Sequence, residues 1–307
     1  MPDVRTAIAD RPLILDGGLG TMLEARGHDL TGALWSAGVL IDAPGDVRDV
    51  HAEFVAAGAE VITTASYQLG YDNLGAAGYD GAAVDGLLAA SVRLAREAAE
   101  GRAWVAASVG PFGAVRADGS EYTGDYGMTV ADLARWHRRR IEVLAGAGPD
   151  LLAIETIASP AEVEAIALAL EGIDVPAWIS LSAASTAFEG DGLAGALAAA
   201  ASAPGVVAVG ANCCAPPLIT TVLDRVPTGT TAVVYPNSGE AWDAASRSWR
   251  GEAGAAFTEA EAWVDAGARL IGGCCRTTPA DIAALAARLG GPGHSDAAVA
   301  NHDRIGG

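Results

Sequence analysis

One unit recurs along this chain: an alanine-rich helical segment that ends at glycine and runs straight into a short apolar stretch. Ala145-Gly146-Ala147 precedes Leu151-Leu152-Ala153-Ile154-Glu155, and Ala266-Gly267-Ala268 precedes Leu270-Ile271. Near the start, Pro44 opens a helix whose apolar positions Val47, Val50, Phe54 and Val55 share one face; Gly58 ends it, and Glu60-Val61-Ile62-Thr63-Thr64 reads as the next strand. A helix closed by glycine and followed by a buried strand is an αβ joint, so its repetition points to a repeated β/α unit. Eight apolar, β-branched runs qualify as strands: Leu13 to Leu15, Val61 to Thr64, Trp104 to Ser108, Leu151 to Ile154, Ala177 to Leu181, Val206 to Val209, Thr231 to Tyr235, and Leu270 to Ile271. Eight parallel strands alternating with helices predict an α/β fold, a single (β/α)8 TIM barrel whose active residues follow the strands. An open doubly wound sheet, which also binds ligands at strand ends, is the alternative.

A chain of 307 residues with 51% hydrophobic composition buries a large core. No linker of proline, serine or charge divides it, so residues 1–290 are expected to form one domain. Residues 291–307 lack apolar periodicity and read as a disordered tail. The net charge of -19 argues against nucleic acid and anionic membrane as partners, since both require a basic surface. All 19 basic residues are arginine, which excludes a Schiff-base lysine and a Walker-type phosphate loop. The start of the chain leads into no apolar signal core, and Pro204-Gly205 interrupts the alanine-rich stretch from Leu193 to Ala203. A cytoplasmic enzyme is the expectation, in a compartment that keeps the four cysteines as thiols. No apolar surface stripe stands out from the helix faces to indicate an oligomeric state.

The residues just past each strand form a coherent chemical set. They are Asp16; Ser66-Tyr67-Gln68; Gly110-Pro111; Glu155-Thr156; Ser182; Asn212-Cys213-Cys214; Pro236-Asn237-Ser238; and Cys274-Cys275. All four cysteines thus fall at two strand ends. A single free cysteine is most often a small buried hydrophobe, but two Cys-Cys pairs at two strand ends suit zinc, with three ligands if one position stays free for substrate. Adjacent cysteines normally face opposite ways; Gly272-Gly273 offers the turn that lets both Cys274 and Cys275 point to one centre. Asp16 and Glu155 would share that mouth and suit a substrate ammonium group, or else Asp16 caps a helix and Glu155 pairs with an arginine. Gly18-Leu19-Gly20 lacks the third glycine of a dinucleotide loop, and the adjacent cysteines do not have the Cys-x-x-Cys redox spacing. His28, His51 and His137 read as surface or helix-packing residues. A barrel holding a purely structural zinc, with four closed ligands, is the rival from another class.

Taken together, several stretches resemble the homocysteine S-methyltransferase family. They are Leu15-Asp16-Gly17-Gly18, Thr64-Ala65-Ser66-Tyr67-Gln68, Asp118-Gly119-Ser120-Glu121-Tyr122, Glu155-Thr156, Val234-Tyr235-Pro236-Asn237-Ser238-Gly239-Glu240 and Gly272-Gly273-Cys274-Cys275-Arg276. The likeness is greatest to the branch that uses S-methylmethionine or S-adenosylmethionine as donor. It implies zinc held by Cys213, Cys274 and Cys275, with Cys214 a neighbour and not a ligand. It also implies that Asp16 and Glu155 receive the homocysteine ammonium, and that Asn237 is a candidate for offering its amide to substrate-free zinc. Thr156 stands where the betaine-using branch carries tyrosine, which weakens betaine as donor. Selenocysteine or another thiol is an alternative acceptor. Trp35, Tyr67, Glu121, Tyr122, Asp125 and Tyr126 are candidates, by position, for receiving the sulfonium cation.

Overall fold

Ten strands order the described residues: β1 (Leu13–Ile14), β2 (Val61–Thr63), β3 (Trp104–Val109), β4 (Leu151–Ile157), β5 (Ala177–Leu181), β6 (Val206–Asn212), β7 (Ala232–Tyr235), β8 (Ala241–Asp243), β9 (Ser248–Arg250) and β10 (Ala268–Ile271). The structure is a computed structural model that describes residues 1–30, 34–116, 119–243, 248–250 and 256–290, without the side chains of Trp35, Ser36, Tyr122, 241–243 and 248–250. The expected tail, 291–307, and Asp118 lie outside the described residues.

Eight strands form one parallel sheet in the order β1-β10-β7-β6-β5-β4-β3-β2. A parallel bridge between Leu15 and Val61 joins its two ends, with Asp16 N donating to Val61 O at 3.0 Å and Glu60 N to Ile14 O at 2.7 Å. The sheet therefore closes, and the barrel is the observed fold in place of the open sheet. Each of the eight runs picked from sequence carries one of these strands. The antiparallel pair β8 and β9, in which Trp242 is in backbone register with Trp249, was not expected from the sequence. Strands of three residues are too short to show a period-two pattern.

Side-chain alternation along the strands builds two cores. One set of residues points inward, among them Leu13, Val61, Trp104, Ala106, Leu151, Ala153, Trp178, Ala208, Val233 and Leu270, where large rings sit among small alanines. The intervening residues, such as Leu152, Ile154, Ile179 and Val209, pack outward against the helices. The helix Val4–Asp10 plugs the bottom of the barrel with Val4, Ala7 and Ile8, and Trp104 Nε1 donates to Pro2 O at 3.1 Å. The helix opened by Pro44 runs to Ala56 and buries Val47, Val50, Phe54 and Val55. No helix among the described residues is long and apolar enough to cross a membrane.

Followed toward the C-terminal ends, the inward positions change character. Ser108 on β3, Glu155 on β4, Ser180 on β5, Asn212 on β6 and Tyr235 on β7 are all buried and joined by hydrogen bonds. A buried polar layer must be satisfied internally, so its geometry is fixed by its own bonds. This layer is the floor of the barrel mouth.

Candidate active site

The Sγ atoms of Cys213, Cys274 and Cys275 lie within 4.8 Å of one another, and those of Cys213 and Cys275 are 3.7 Å apart. The end of β7 threads between the two cysteine segments and stitches them together. Cys213 N donates to Tyr235 O, Asn237 N to Cys214 O, Cys274 N to Pro236 O and Ser238 N to Cys275 O. The Asn237 carboxamide oxygen accepts from Cys275 N at 3.2 Å, so this side chain is engaged in holding the cysteine backbone. The chain turns just after Gly272-Gly273, where Thr277 N donates to Cys274 O at 3.2 Å and Arg276 has φ +66°, and close approach explains the two glycines. A Cβ on Gly272 would lie 2.8 Å from Asp16 O, and one on Gly273 only 2.2 Å from the Thr277 hydroxyl.

Cys213 has φ +50° and Thr156 has φ +62°, a left-handed conformation that costs a β-branched residue about 1–3 kcal/mol. Asn212 holds Thr156 there: its Oδ1 accepts from Thr156 N and its Nδ2 donates to Thr156 Oγ1, each at 2.8 Å. Strain of this kind persists where the surroundings over-determine it. Here it turns the ends of β4 and β6 into the mouth.

Three thiolates this close repel each other. The neighbouring thiol of Cys213 pushes the Cys274 and Cys275 thiols well above the usual range. A cation among them removes that penalty, and three convergent thiolates fit a soft divalent metal with one tetrahedral position left for another ligand. Cys214 is buried in the outer core, where burial pushes its thiol up to about 12; it stands outside the cluster.

Asp16 and Glu155 are buried carboxylates of the same mouth, 3% and 9% exposed. Asp16 Oδ2 accepts from Thr63 N at 2.8 Å and Oδ1 from the Thr63 hydroxyl at 2.7 Å, so it does not cap a helix. Glu155 accepts from the Ser108 hydroxyl and, at 3.1 Å, from the Tyr235 hydroxyl. Among the described residues no arginine or histidine forms an ion pair with either carboxylate. Burial raises both to about 7, against the lowering effect of these hydrogen bonds. Each carboxylate keeps acceptor capacity beyond its two bonds.

The half-buried Tyr67 lies beside the cluster. Burial first, and then the charge of Cys213, raises its phenol well above the usual value, and it is hydrogen-bonded to Thr156. Arg140 positions the backbone beneath it. This fully buried guanidinium donates to Gly110 O at 3.0 Å, Tyr67 O at 2.8 Å and Ser66 O at 3.4 Å, clamping the ends of β2 and β3. Glu121 lies near enough to Tyr67 to raise its phenol. Tyr126 is a packing residue: its hydroxyl donates to buried Glu162 at 3.0 Å and its ring meets Phe112 edge-on. Asp125 is exposed, and the Trp35 and Tyr122 side chains lie outside the described residues. His137 is buried against Glu162 at 2.9 Å, His51 is buried, and His28 meets Asp46. Sequence reasoning missed Thr63, Arg140 and the Asn212 and Tyr235 side-chain bonds. Strand parity could have flagged Asn212 and Tyr235 as polar groups at inward positions.

Fold and site together define a (β/α)8 barrel with a cysteine triad and two buried carboxylates at its mouth. The homocysteine S-methyltransferase family model matches residues 13–289. Homocysteine S-methyltransferase 4 of Zea mays is 47% identical over 300 residues, covering 89% of this chain and 88% of the relative. Selenocysteine Se-methyltransferase of Brassica oleracea var. italica is 39% identical over 305 residues, covering 90% and 88%. The crystal structure of the Escherichia coli homocysteine methyltransferase MmuM in its metallated form superposes with a TM-score of 0.81 at 42% identity, covering 93% of this chain and 99% of that one. The chain belongs to the homocysteine S-methyltransferase family, a family of enzymes.

Proposed function

We propose that residues 1–290 form one homocysteine-binding barrel that transfers a methyl group to homocysteine and yields methionine. The proposed donor is S-methylmethionine, with S-adenosylmethionine as the other sulfonium considered, and zinc is held by Cys213, Cys274 and Cys275. The observation that carries this reading is the convergence of three thiols beside two buried carboxylates that form no ion pair among the described residues. The metallated form of the Escherichia coli relative supports a metal among them. When bound there, zinc supplies the positive charge that keeps the acceptor sulfur a thiolate at neutral pH, where a free thiol near pKa 8.5 is only a few per cent ionised.

The chain's own residues then do the orienting. Asp16 and Glu155 hold the acceptor ammonium, so that its sulfur reaches toward the cysteines. Thr63, Ser108 and Tyr235 keep those carboxylates pointed by donating to them. The Tyr67 ring face and the Glu121 carboxylate receive the sulfonium cation. The acceptor sulfur attacks the methyl carbon in line; a new sulfur–carbon bond forms as the donor's breaks, and the electron pair stays on the departing sulfur as a neutral thioether. No general base is required, because the thiol proton has left on binding. Proximity of the two sulfurs supplies most of the acceleration.

Two tests follow. With methyl donors offered in parallel, methionine should form from homocysteine with S-methylmethionine and not with betaine. Bound zinc without methionine from any donor would leave the fold standing and refute the reaction. The Brassica relative favours a selenol as second acceptor, readable as competition by selenocysteine in the same assay. The second test is the pH profile. Both carboxylates are raised to about 7, so they lose charge as pH falls through that value. The kcat/KM for homocysteine should therefore rise toward pH 7 and level off above it, since this ratio reports free-enzyme groups. A flat profile on the acid side would mean that these carboxylates do not meet the ammonium.

A further inference from the structure

The geometry points to Tyr235 as the positioning residue that holds Glu155 at a fixed distance from Cys213. The inference rests on the homocysteine reading above. Tyr235 is the last residue of β7 and faces inward. Its hydroxyl oxygen has three neighbours: Trp178 Nε1 at 3.0 Å, Ser180 Oγ at 2.6 Å and Glu155 Oε2 at 3.1 Å. An indole N–H can only donate, so Trp178 occupies a lone pair of the phenol and turns its single proton elsewhere. Of the two remaining neighbours the carboxylate is the stronger acceptor, and the proton goes to Glu155. The phenol's remaining lone pair is then left to accept from the Ser180 hydroxyl, whose oxygen also lies 2.8 Å from Asn212 Oδ1, so that Ser180 braces the phenol. The ring is also held edge-on against Trp178, with centroids 6.1 Å apart.

The same residue reaches the cysteine triad through its main chain, where its carbonyl accepts from Cys213 N at 3.2 Å. Tyr235 therefore grips the group proposed to hold the acceptor's ammonium with its side chain, and the strand end that carries a thiol with its backbone. The acceptor must span the gap between those two anchors through its own carbon chain. A Glu155 released from the phenol would still carry charge and keep its bond to Ser108, but it would lose the tie from its second oxygen to the strand end that carries Cys213.

Tyr235→Phe removes the hydroxyl and keeps the ring. The test compares two acceptors: homocysteine, and its des-amino analogue 4-mercaptobutanoate, which has no ammonium for Glu155 to hold. The variant should lower kcat/KM for homocysteine by about tenfold or more, as expected for a lost bond to a charged group. The loss should fall mainly in KM and be matched by weaker homocysteine binding in calorimetry, with the value for the analogue nearly unchanged. Equal losses for both acceptors, or an unchanged homocysteine KM, would overturn the assignment and make Tyr235 a packing residue. If Tyr235→Phe does not fold, Ser180→Ala leaves the phenol but removes its brace. It should give the same acceptor-selective loss on a smaller scale, and no selectivity would overturn the proposal. A wild-type enzyme indifferent to the amino group is a separate outcome: it refutes the homocysteine reading, and the role of Tyr235 falls with it.

Discussion

Cys275→Ser should strip the bound metal and abolish methyl transfer while leaving the barrel folded. Cys275 Sγ is 3.7 Å from Cys213 Sγ, and all three sulfurs lie within 4.8 Å, so each is placed to belong to the proposed donor set. Losing even an outer partner of a metal ligand costs about 10–100-fold in affinity or activity; losing a ligand itself should exceed the upper figure. Cys214→Ser is the matched control. Its sulfur is buried away from the cluster, so the variant should keep its metal and pay only for burying a hydroxyl, about 1–3 kcal/mol of stability. Metal content by elemental analysis, methionine formation and thermal unfolding on both variants separate the two cases. Full zinc and full activity in Cys275→Ser would mean that the triad is not the metal site.

Glu155→Gln should act in opposite directions on activity and on stability. Glutamine keeps the shape, accepting from one of the two hydroxyls at its single carbonyl oxygen and donating its NH2 to the other, but it offers no charge to an ammonium. The kcat/KM for homocysteine should fall by roughly 10–150-fold, the range for a charge-assisted hydrogen bond. The ligand-free protein, in contrast, should melt higher above neutral pH. The folded-state value of Glu155 is raised to about 7 by burial. Above that pH the folded chain carries an ionised buried group that the unfolded chain would carry in water, and the amide removes this cost. A scan at pH 8 that shows lower stability together with unchanged homocysteine kinetics would mean that Glu155 is an ordinary structural carboxylate.

Much of this site could be read in the sequence because barrel chemistry gathers at strand ends. Glu155 and the Cys213 and Cys275 positions could be listed once the apolar runs were located, and Gly272-Gly273 pointed to a turn that follows directly, the glycines themselves being required by the close approach of Leu15, Asp16 and Thr277. Which side chains face the barrel axis was not readable in Leu151 to Ile154, because four apolar residues in a row show no alternation; the structure sends Leu151 and Ala153 inward and Leu152 and Ile154 outward. The pairing partners were not readable. Nothing local to Asp16 names Thr63 as its donor, nor does anything near Glu155 name Tyr235, 80 residues away in sequence. Such bonds arise from the register of β1 against β2 and of β4 through β7, which is a property of the closed sheet. Arg140 was hidden for a related reason. Within Arg138-Arg139-Arg140 it reads as part of a solvated charge run, yet the helix Val130–Gly146 turns it fully inward onto the carbonyls of Ser66, Tyr67 and Gly110. The left-handed backbone of Thr156 and Cys213 is equally invisible in composition, since neither residue favours it.

The most direct test of the account is zinc K-edge X-ray absorption on the metal-loaded protein, before and after addition of homocysteine. The account predicts about three sulfur neighbours per zinc in the free enzyme, rising to about four when homocysteine is added, because the triad leaves one tetrahedral position for the acceptor sulfur. Four sulfurs already present in the free enzyme, with no change on adding homocysteine, would show a closed structural site and contradict the central claim.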